Sequence, residues 1–355
     1  MFPETSDIAN DILACNSTAQ LRQIRDSWHR QLQRNPSFQM IMTYSDEINF
    51  IHDSFIKRAI FLAEQKLLSE GMASPSVSYA FILVGSGGRE EQTPWSDQDN
   101  AIIYDDRFVA VTPEVRNYFC TLGKRVVEYL KEIGYPPCDG EVGADNDRWC
   151  KPYSAWIQTI DEWLLEPNWE NIRYLLIAAD LRCVAGNNEL VELLQSHIVT
   201  YADTHPIILQ AMLNNTLRHK IVLNVFGQLL VEPYGEHAGS VDIKYGGYIP
   251  IINSIRLVAI LSGVTETSSV KRIMALYMKG EITEQQMTMW YDALRTVLYL
   301  RAQTTFEIVD NHYVTSGMIP LRELSKSDKL QLKMALHAGR KLQKFVQKRI
   351  NKLGG

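Results

Sequence analysis

The sequence lacks the cysteine pattern of a disulfide-stapled or zinc-binding protein. Its five cysteines are spread over 355 residues without a CxxC pair, and no two histidines have metal-ligand spacing. Neither a zinc site nor a disulfide framework is indicated, and reduced thiols fit a cytosolic protein. The cysteines are Cys15, Cys120, Cys138, Cys150 and Cys183.

Long apolar runs are also missing. No stretch of about 18 consecutive apolar residues occurs, so no transmembrane helix is predicted. The opening residues, MFPETSDIANDILAC, lack the basic start and apolar run of a secretory signal. We therefore expect no export, no membrane anchoring and a cytoplasmic location.

An excess of positive charge is absent as well. Lys and Arg number 36 against 41 Asp and Glu, which gives a formal net charge of -5. This balance argues against a surface that attracts nucleic acid as a whole, so nucleic acid is not an expected partner. Hydrophobic residues make up 46% and charged residues 22%, which is typical of a globular protein. The length predicts two or three domains.

The hydrophobic pattern divides the chain into three regions. Residues 1–75 have helical periodicity, residues 76–205 open with two strand-like runs (SVSYAFILVG and NAIIY), and residues 206–355 are almost entirely helical in pattern. We therefore predict an α+β fold, in which a core with a small mixed sheet is flanked by N-terminal helices and a C-terminal helical bundle.

A glycine-rich turn follows the first predicted strand, in the segment GSGGREEQTPWSDQDNAIIY (85–104). Glycines let backbone N–H groups approach phosphate oxygens, and Ser86 adds a hydroxyl donor. Arg89 carries a planar, permanently charged group suited to phosphate. Gly85, Ser86, Gly88 and Arg89 are therefore predicted to bind a nucleoside triphosphate.

A pair of carboxylates completes the same segment. Asp97 and Asp99 are separated by one residue and lead into the second strand, where alternate side chains project from one face. Two hard oxygen ligands side by side suit Mg²⁺. Both are predicted to be metal ligands and catalytic residues, and two Mg²⁺ ions roughly 3.5 to 4 Å apart would contact the attacking and leaving oxygens.

Each half of this segment has a simpler interpretation. A Gly-Ser turn alone is nearly uninformative, and Asp-x-Asp is more often turn chemistry than metal binding. The combination favours a site, because a strand, the turn, an arginine, the aspartate pair and a second strand follow one another within about twenty residues.

The segment resembles the GSxGRxEQTxxxDQDNAxxY signature of a bacterial nucleotidyltransferase family that often follows CBS and cyclic-nucleotide-binding domains and is related to the PII protein uridylyltransferase. Three further segments are similar to that family: GYPPCDGEVGADNDRW (134–149) to its cysteine-glycine loop, ADLRCVAG (179–186), and SVDIKYGGYIPI (240–251) to its C-terminal helical domain. The resemblance implies a DNA polymerase β-like core that transfers a nucleoside monophosphate from an NTP to a hydroxyl acceptor and releases pyrophosphate. It also suggests UTP as donor and a regulatory protein as acceptor.

Such sites usually have a third carboxylate on a later strand, which acts as a metal ligand and as a base. Glu141 is our candidate, because it lies where the family often has an acid and could enter a short strand. A surface acid is an equally good interpretation. Asp139 and Asp145 are alternatives, although both are more typical of loop residues.

Other polar residues are predicted from their local patterns. Lys244 precedes a Gly-Gly pair and is predicted to reach a phosphate from the C-terminal domain. Asp180 and Arg182 close an apolar helix, where an internal ion pair is favoured over a nucleotide contact. His219 and His337 are interpreted as packing or surface residues.

Two alternatives to protein modification remain at this point. One is nucleotidyl transfer to a small molecule, and the other is a nucleotide-binding or interaction module without turnover.

Overall fold

The computed structural model describes residues 5–32, 36–138 and 140–353. Its α-helices in chain order are α1 (Thr5–Ala14), α2 (Thr18–Gln31), α3 (Ile41–Ser69), α4 (Gly85–Gly88), α5 (Pro113–Ile133), α6 (Tyr153–Leu165), α7 (Trp169–Ala178), α8 (Glu189–Thr204), α9 (Pro206–Thr216), α10 (Ile249–Leu261), α11 (Ser269–Met278), α12 (Glu284–Ala302) and α13 (Lys326–Asn351). Its strands are β1 (Tyr79–Leu83), β2 (Asn100–Tyr104), β3 (Cys150–Pro152), β4 (Arg182–Gly186), β5 (Ser240–Asp242), β6 (Phe306–Val309), β7 (His312–Thr315) and β8 (Met318–Pro320).

A four-stranded sheet forms the centre of the first half of the chain, in the order β3-β2-β1-β4. Strand β1 is antiparallel to both β2 and β4, while β2 is parallel to β3. The sheet is therefore mixed, and the predicted α+β class is confirmed. Leu83, the last residue of β1, pairs with Asn100, the first residue of β2. The segment between them therefore begins and ends at the same end of these two strands.

The strands form here because their residues are apolar on both faces. All residues of β2 are buried, and helices α5, α6 and α8 contact this strand. Tyr104 stacks on Phe119 of α5 with the ring centroids 4.7 Å apart. Helix α3 packs against α5 and joins the N-terminal helices to the same core.

Helix α5 shows how local signals fix an element. Thr112 caps its first turn by accepting a hydrogen bond from the Val115 amide at 3.4 Å, and Pro113 occupies the first turn. Gly134 ends the helix with a φ of 102°, which a residue with a Cβ rarely adopts.

The C-terminal half is a helical bundle, as predicted, but it also contains short strands. Strands β6 and β7 form a hairpin whose connecting residues Asp310 and Asn311 have φ values of 48° and 66°. Such values are typical of a tight two-residue hairpin turn. The sequence pattern also did not predict β4 of the central sheet, because its short run of apolar residues directly follows a helical segment.

The domain boundaries stay predictions. Residue 75 falls between α3 and β1, and residue 205 falls between α8 and α9. In the described ranges, none of the helices has the length and apolar character needed to cross a bilayer.

Candidate active site

The glycine-rich turn lies against the carboxylate of Asp99, the residue directly before β2. After β1, the chain turns at Gly85, forms the four-residue helix α4 and returns so that the Val84 amide donates to the Asp99 carbonyl at 3.1 Å. A Cβ on Gly85 would lie 2.4 Å from Asp99 Oδ2, and Gly85 has a φ of 57°. Glycine is required here because the turn and the carboxylate share this space.

The structure brings Asp97 and Asp99 together. Their carboxylate oxygens and the Sγ of Cys138 all lie within 4.8 Å of one another. Burial raises the pKa of Asp99 to about 7, and the negative charge of Asp97 adds to this effect. Two carboxylates this close repel each other, so the arrangement favours a bound cation.

The donor set fits a hard divalent cation. Asp97 and Asp99 offer carboxylate oxygens, which Mg²⁺ prefers. Burial raises the pKa of the Cys138 thiol, and the neighbouring Asp99 raises it further. Without a bound metal, this shift favours the protonated thiol, which lies beside the Asp99 carboxylate.

The predicted third carboxylate lies elsewhere. Glu141 is exposed and belongs to no strand, so the expectation that it enters one is wrong. Its φ of 55° and the bond from its amide to the Cys138 carbonyl place it in a turn. Glu141 and Asp145 line a second cavity, which Cys138 also lines, and neither acid belongs to the Asp97–Asp99 cluster. Asp139 lies outside the described residues.

A cavity of about 720 Å³ separates the central sheet from the C-terminal helices. Its walls include the predicted residues Gly85, Ser86, Asp97, Asp99 and Lys244. This volume is in the range of pockets that hold small-molecule ligands and cofactors.

Lys244 reaches the cavity from a π-helical turn, Lys244–Tyr248, that precedes α10. Its positive charge acts to lower the pKa of Asp99, against the larger effect of burial. A Cβ on Gly246 would lie 2.2 Å from the Val222 side chain, so close packing explains that glycine.

Arg89 and Gly88 have strong structural contacts. The Arg89 guanidinium donates to Glu91, Asp180 and the Tyr248 hydroxyl, and the residue is 4% exposed. A Cβ on Gly88 would lie 1.9 Å from the Asp180 carbonyl oxygen. Their predicted phosphate contacts stay predictions: Gly88 packs against the Asp180 backbone, and Arg89, which also lines the cavity, bonds both Asp180 and Tyr248.

Asp180 is the centre of that contact. It is fully buried and forms ion pairs with Arg89, Arg256 and Arg272. Burial alone would raise the pKa of Asp180, but the three arginines lower it to about 2. Arg182 instead pairs through both terminal nitrogens with Asp53, each at 2.8 Å. Both residues thus have the internal ion pairs that the sequence favoured.

Several residues in or beside the site were not predicted from the sequence. Cys138 lies in the cysteine-glycine loop, so the resemblance offered a signal for it. Arg256 and Arg301 line the cavity from α10 and α12, and no local pattern distinguishes them from other helical arginines. His219, interpreted as a packing or surface residue, also lines the cavity, whereas His337 is exposed on α13.

Comparison with known families agrees with this architecture. Residues 22–170 match the family described as Putative nucleotidyltransferase DUF294. Residues 206–350 match DUF294_C, described as Putative nucleotidyltransferase substrate binding domain. A comparison with curated proteins gave no match. The carboxylate pair lies in the first matched region, and the cavity extends from it to the second. The chain therefore belongs to the DUF294 nucleotidyltransferase family.

Proposed function

We propose that the protein is a Mg²⁺-dependent enzyme that moves a nucleoside monophosphate from an NTP to a hydroxyl acceptor and releases pyrophosphate. The observation that carries this proposal is the convergence of Asp97 and Asp99 beneath the Gly85 turn, in the wall of a cavity that could hold a nucleotide.

The donor's triphosphate would lie between the glycine turn and Lys244. Ser86 offers a hydroxyl donor on one side, and the Lys244 ammonium offers a positive charge on the other. Asp97 and Asp99 would hold two Mg²⁺ ions, which when bound neutralise the charge that develops on the phosphate oxygens. These residues together would fix the position of the α-phosphorus.

In the transfer step, an acceptor oxygen forms a bond to the α-phosphorus as the bond from that phosphorus to the pyrophosphate oxygen breaks. The Asp97–Asp99 cluster contains no further carboxylate among the described residues. We propose that a carboxylate oxygen of this pair takes the hydroxyl proton, directly or through water.

The finer specificity follows from the resemblance to the PII protein uridylyltransferase. We propose UTP as the donor and a hydroxyl group of a regulatory protein as the acceptor. The negative formal charge of the chain, -5, does not favour a nucleic acid acceptor. Transfer of label from each NTP to proteins in a lysate would identify both substrates.

The activity is tested by pyrophosphate release from each NTP in the presence of Mg²⁺ and lysate. We expect Asp97→Asn and Asp99→Asn to lower the rate at least about a hundredfold, because each removes a charge from the metal site. Glu141→Gln should leave the rate within about twofold. Asp203→Asn, at an exposed position on α8, is the matched control.

Different results would contradict different parts of the proposal. Nucleotide binding without pyrophosphate release under any of these conditions would contradict an enzyme and favour a binding module. The predicted role of Glu141 as the third catalytic carboxylate stays a prediction, and loss of the rate in Glu141→Gln would support it.

A further inference from the structure

An excess of positive charge is buried where the two halves of the chain meet. One connected network of side chains contains four arginines and two carboxylates, each no more than 8% exposed. Four positive and two negative charges leave an excess of two positive charges in this described network. Its members are Arg89, Arg256, Arg272, Arg301, Asp180 and Glu91.

In this network of described residues, Arg301 is the arginine that lacks an ion pair, while Asp180 is shared by the other three. Its Nη1 donates to the Glu91 backbone carbonyl at 3.2 Å, and its guanidinium carbon lies 3.8 Å from the centre of the Tyr248 ring. Among the described residues, the ion pairs of Glu91 and Asp180 involve the other three arginines of the network and not Arg301. Its other N–H groups are free to meet a ligand, since Arg301 lines the 720 Å³ cavity.

A buried cation without a counter-ion is costly, so the excess charge favours an anion in the cavity. Asp97 and Asp99 share the cavity, but a bound divalent cation would neutralise them. Asp310 also lines the cavity but is exposed to solvent, so the buried excess of charge favours an anionic ligand. A guanidinium presents paired N–H donors that match phosphate oxygens, and a terminal phosphate carries close to two negative charges.

We propose that Arg301, resting on the ring of Tyr248, forms an anion subsite that the C-terminal domain contributes to the cavity, and that its ligand is a phosphate group. This inference deepens the proposed function and rests on it for the source of that group. The group belongs either to the donor nucleotide or to an anionic acceptor.

The subsite is tested by calorimetric titration of the full chain with inorganic pyrophosphate in the presence of EDTA, which removes any contribution from the metal site. Arg301→Gln should weaken binding at least about tenfold, because it removes a charged hydrogen-bond donor. Arg295→Gln is the matched control. Arg295 lies on the same helix, pairs with Asp292 at 3.4 Å and does not line this cavity. The affinity of the Arg295→Gln variant for pyrophosphate should therefore equal that of the wild type.

Two further binding experiments identify the source of the phosphate group. If pyrophosphate competes with UTP and Arg301→Gln weakens UTP binding, the subsite holds the donor's phosphates. If inorganic phosphate binds together with UTP, and Arg301→Gln weakens only inorganic phosphate, the subsite holds an acceptor.

Equal pyrophosphate affinity in the wild type and in folded Arg301→Gln, or no pyrophosphate binding to either, overturns the subsite. Should Arg301→Gln not fold, Arg301→Lys keeps the charge but loses the paired donors. Binding several-fold weaker in that variant supports the subsite, and unchanged binding overturns it. Pyrophosphate binding through Arg301 without NTP turnover would instead contradict only the proposed function.

Discussion

At the residue scale, the glycines of the turn are set by close contacts within the protein. The Asp99 carboxylate fills the space that a side chain at position 85 would need. The Asp180 carbonyl oxygen does the same at position 88. The same residue type therefore performs two tasks. Gly85 leaves room for the Asp99 carboxylate, while Gly88 lets α4 pack against the backbone of Asp180.

We expect Gly85→Ala to lower the rate of pyrophosphate release about a hundredfold. Its Cβ would lie 2.4 Å from Asp99 Oδ2 and would displace that carboxylate. The rate and the Mg²⁺ concentration for half-maximal activity check this expectation, and both should change.

Gly280→Ala is the matched control for backbone strain. Gly280 has a φ of 71°, close to the 57° of Gly85, but nothing lies within 4 Å of a Cβ there. This control should cost about 1 kcal/mol of stability and leave the rate unchanged. A similar loss of rate in both variants would show that strain, not displacement of Asp99, is responsible.

At the element scale, the β6–β7 hairpin connects the C-terminal domain to the other end of the chain. Phe306 stacks on Trp95 with centroids 3.8 Å apart, and Tyr313 stacks on His29 at 4.0 Å. The Tyr313 hydroxyl donates to Asp26 of α2 at 2.6 Å. The hairpin therefore forms one wall of the cavity and fixes it to the N-terminal helices.

Phe306→Ala should destabilise the protein by about 1–2 kcal/mol, because it removes an aromatic stack at a partly buried position. Urea denaturation measures this change, and limited proteolysis should show faster cleavage in the hairpin. Ile308→Ala on the same strand is the control, since Ile308 is 59% exposed. Equal effects of the two substitutions would contradict the anchoring role of Phe306.

At the scale of the whole molecule, buried ion pairs join the two matched family regions. Asp180 follows α7, whereas its partners Arg256 and Arg272 lie on α10 and α11. Ser269 adds a bond from its amide to Glu91 at 3.2 Å. The cavity thus has walls from both regions, and its shape depends on these contacts.

Asp180→Asn should destabilise the protein by about 3–5 kcal/mol, because it leaves buried arginines without their shared counter-charge. Denaturation followed by tryptophan fluorescence measures the loss. Asp161→Asn removes a partly exposed contact to His197 and should cost less than about 1 kcal/mol. A similarly small loss in Asp180→Asn would contradict the role assigned to the network.

The sequence by itself determined the elements whose signals are local. The apolar runs predicted β1 and β2, and the cap at Thr112 with Gly134 fixed α5. The spacing of Asp97 and Asp99 predicted that they converge, because alternate residues leading into a strand share a face.

Only the tertiary structure decided which distant residues complete the site. Cys138 rather than Glu141 lies beside the carboxylate pair, since a turn with a left-handed residue directs the loop away from a strand. Arg256, Arg272 and Arg301 lie on α10, α11 and α12. The sequence patterns of these helices predict which faces are buried but not which residues contact Asp180 or the cavity. Their partners are separated by many residues along the chain, and such pairings follow from packing, which no local pattern encodes.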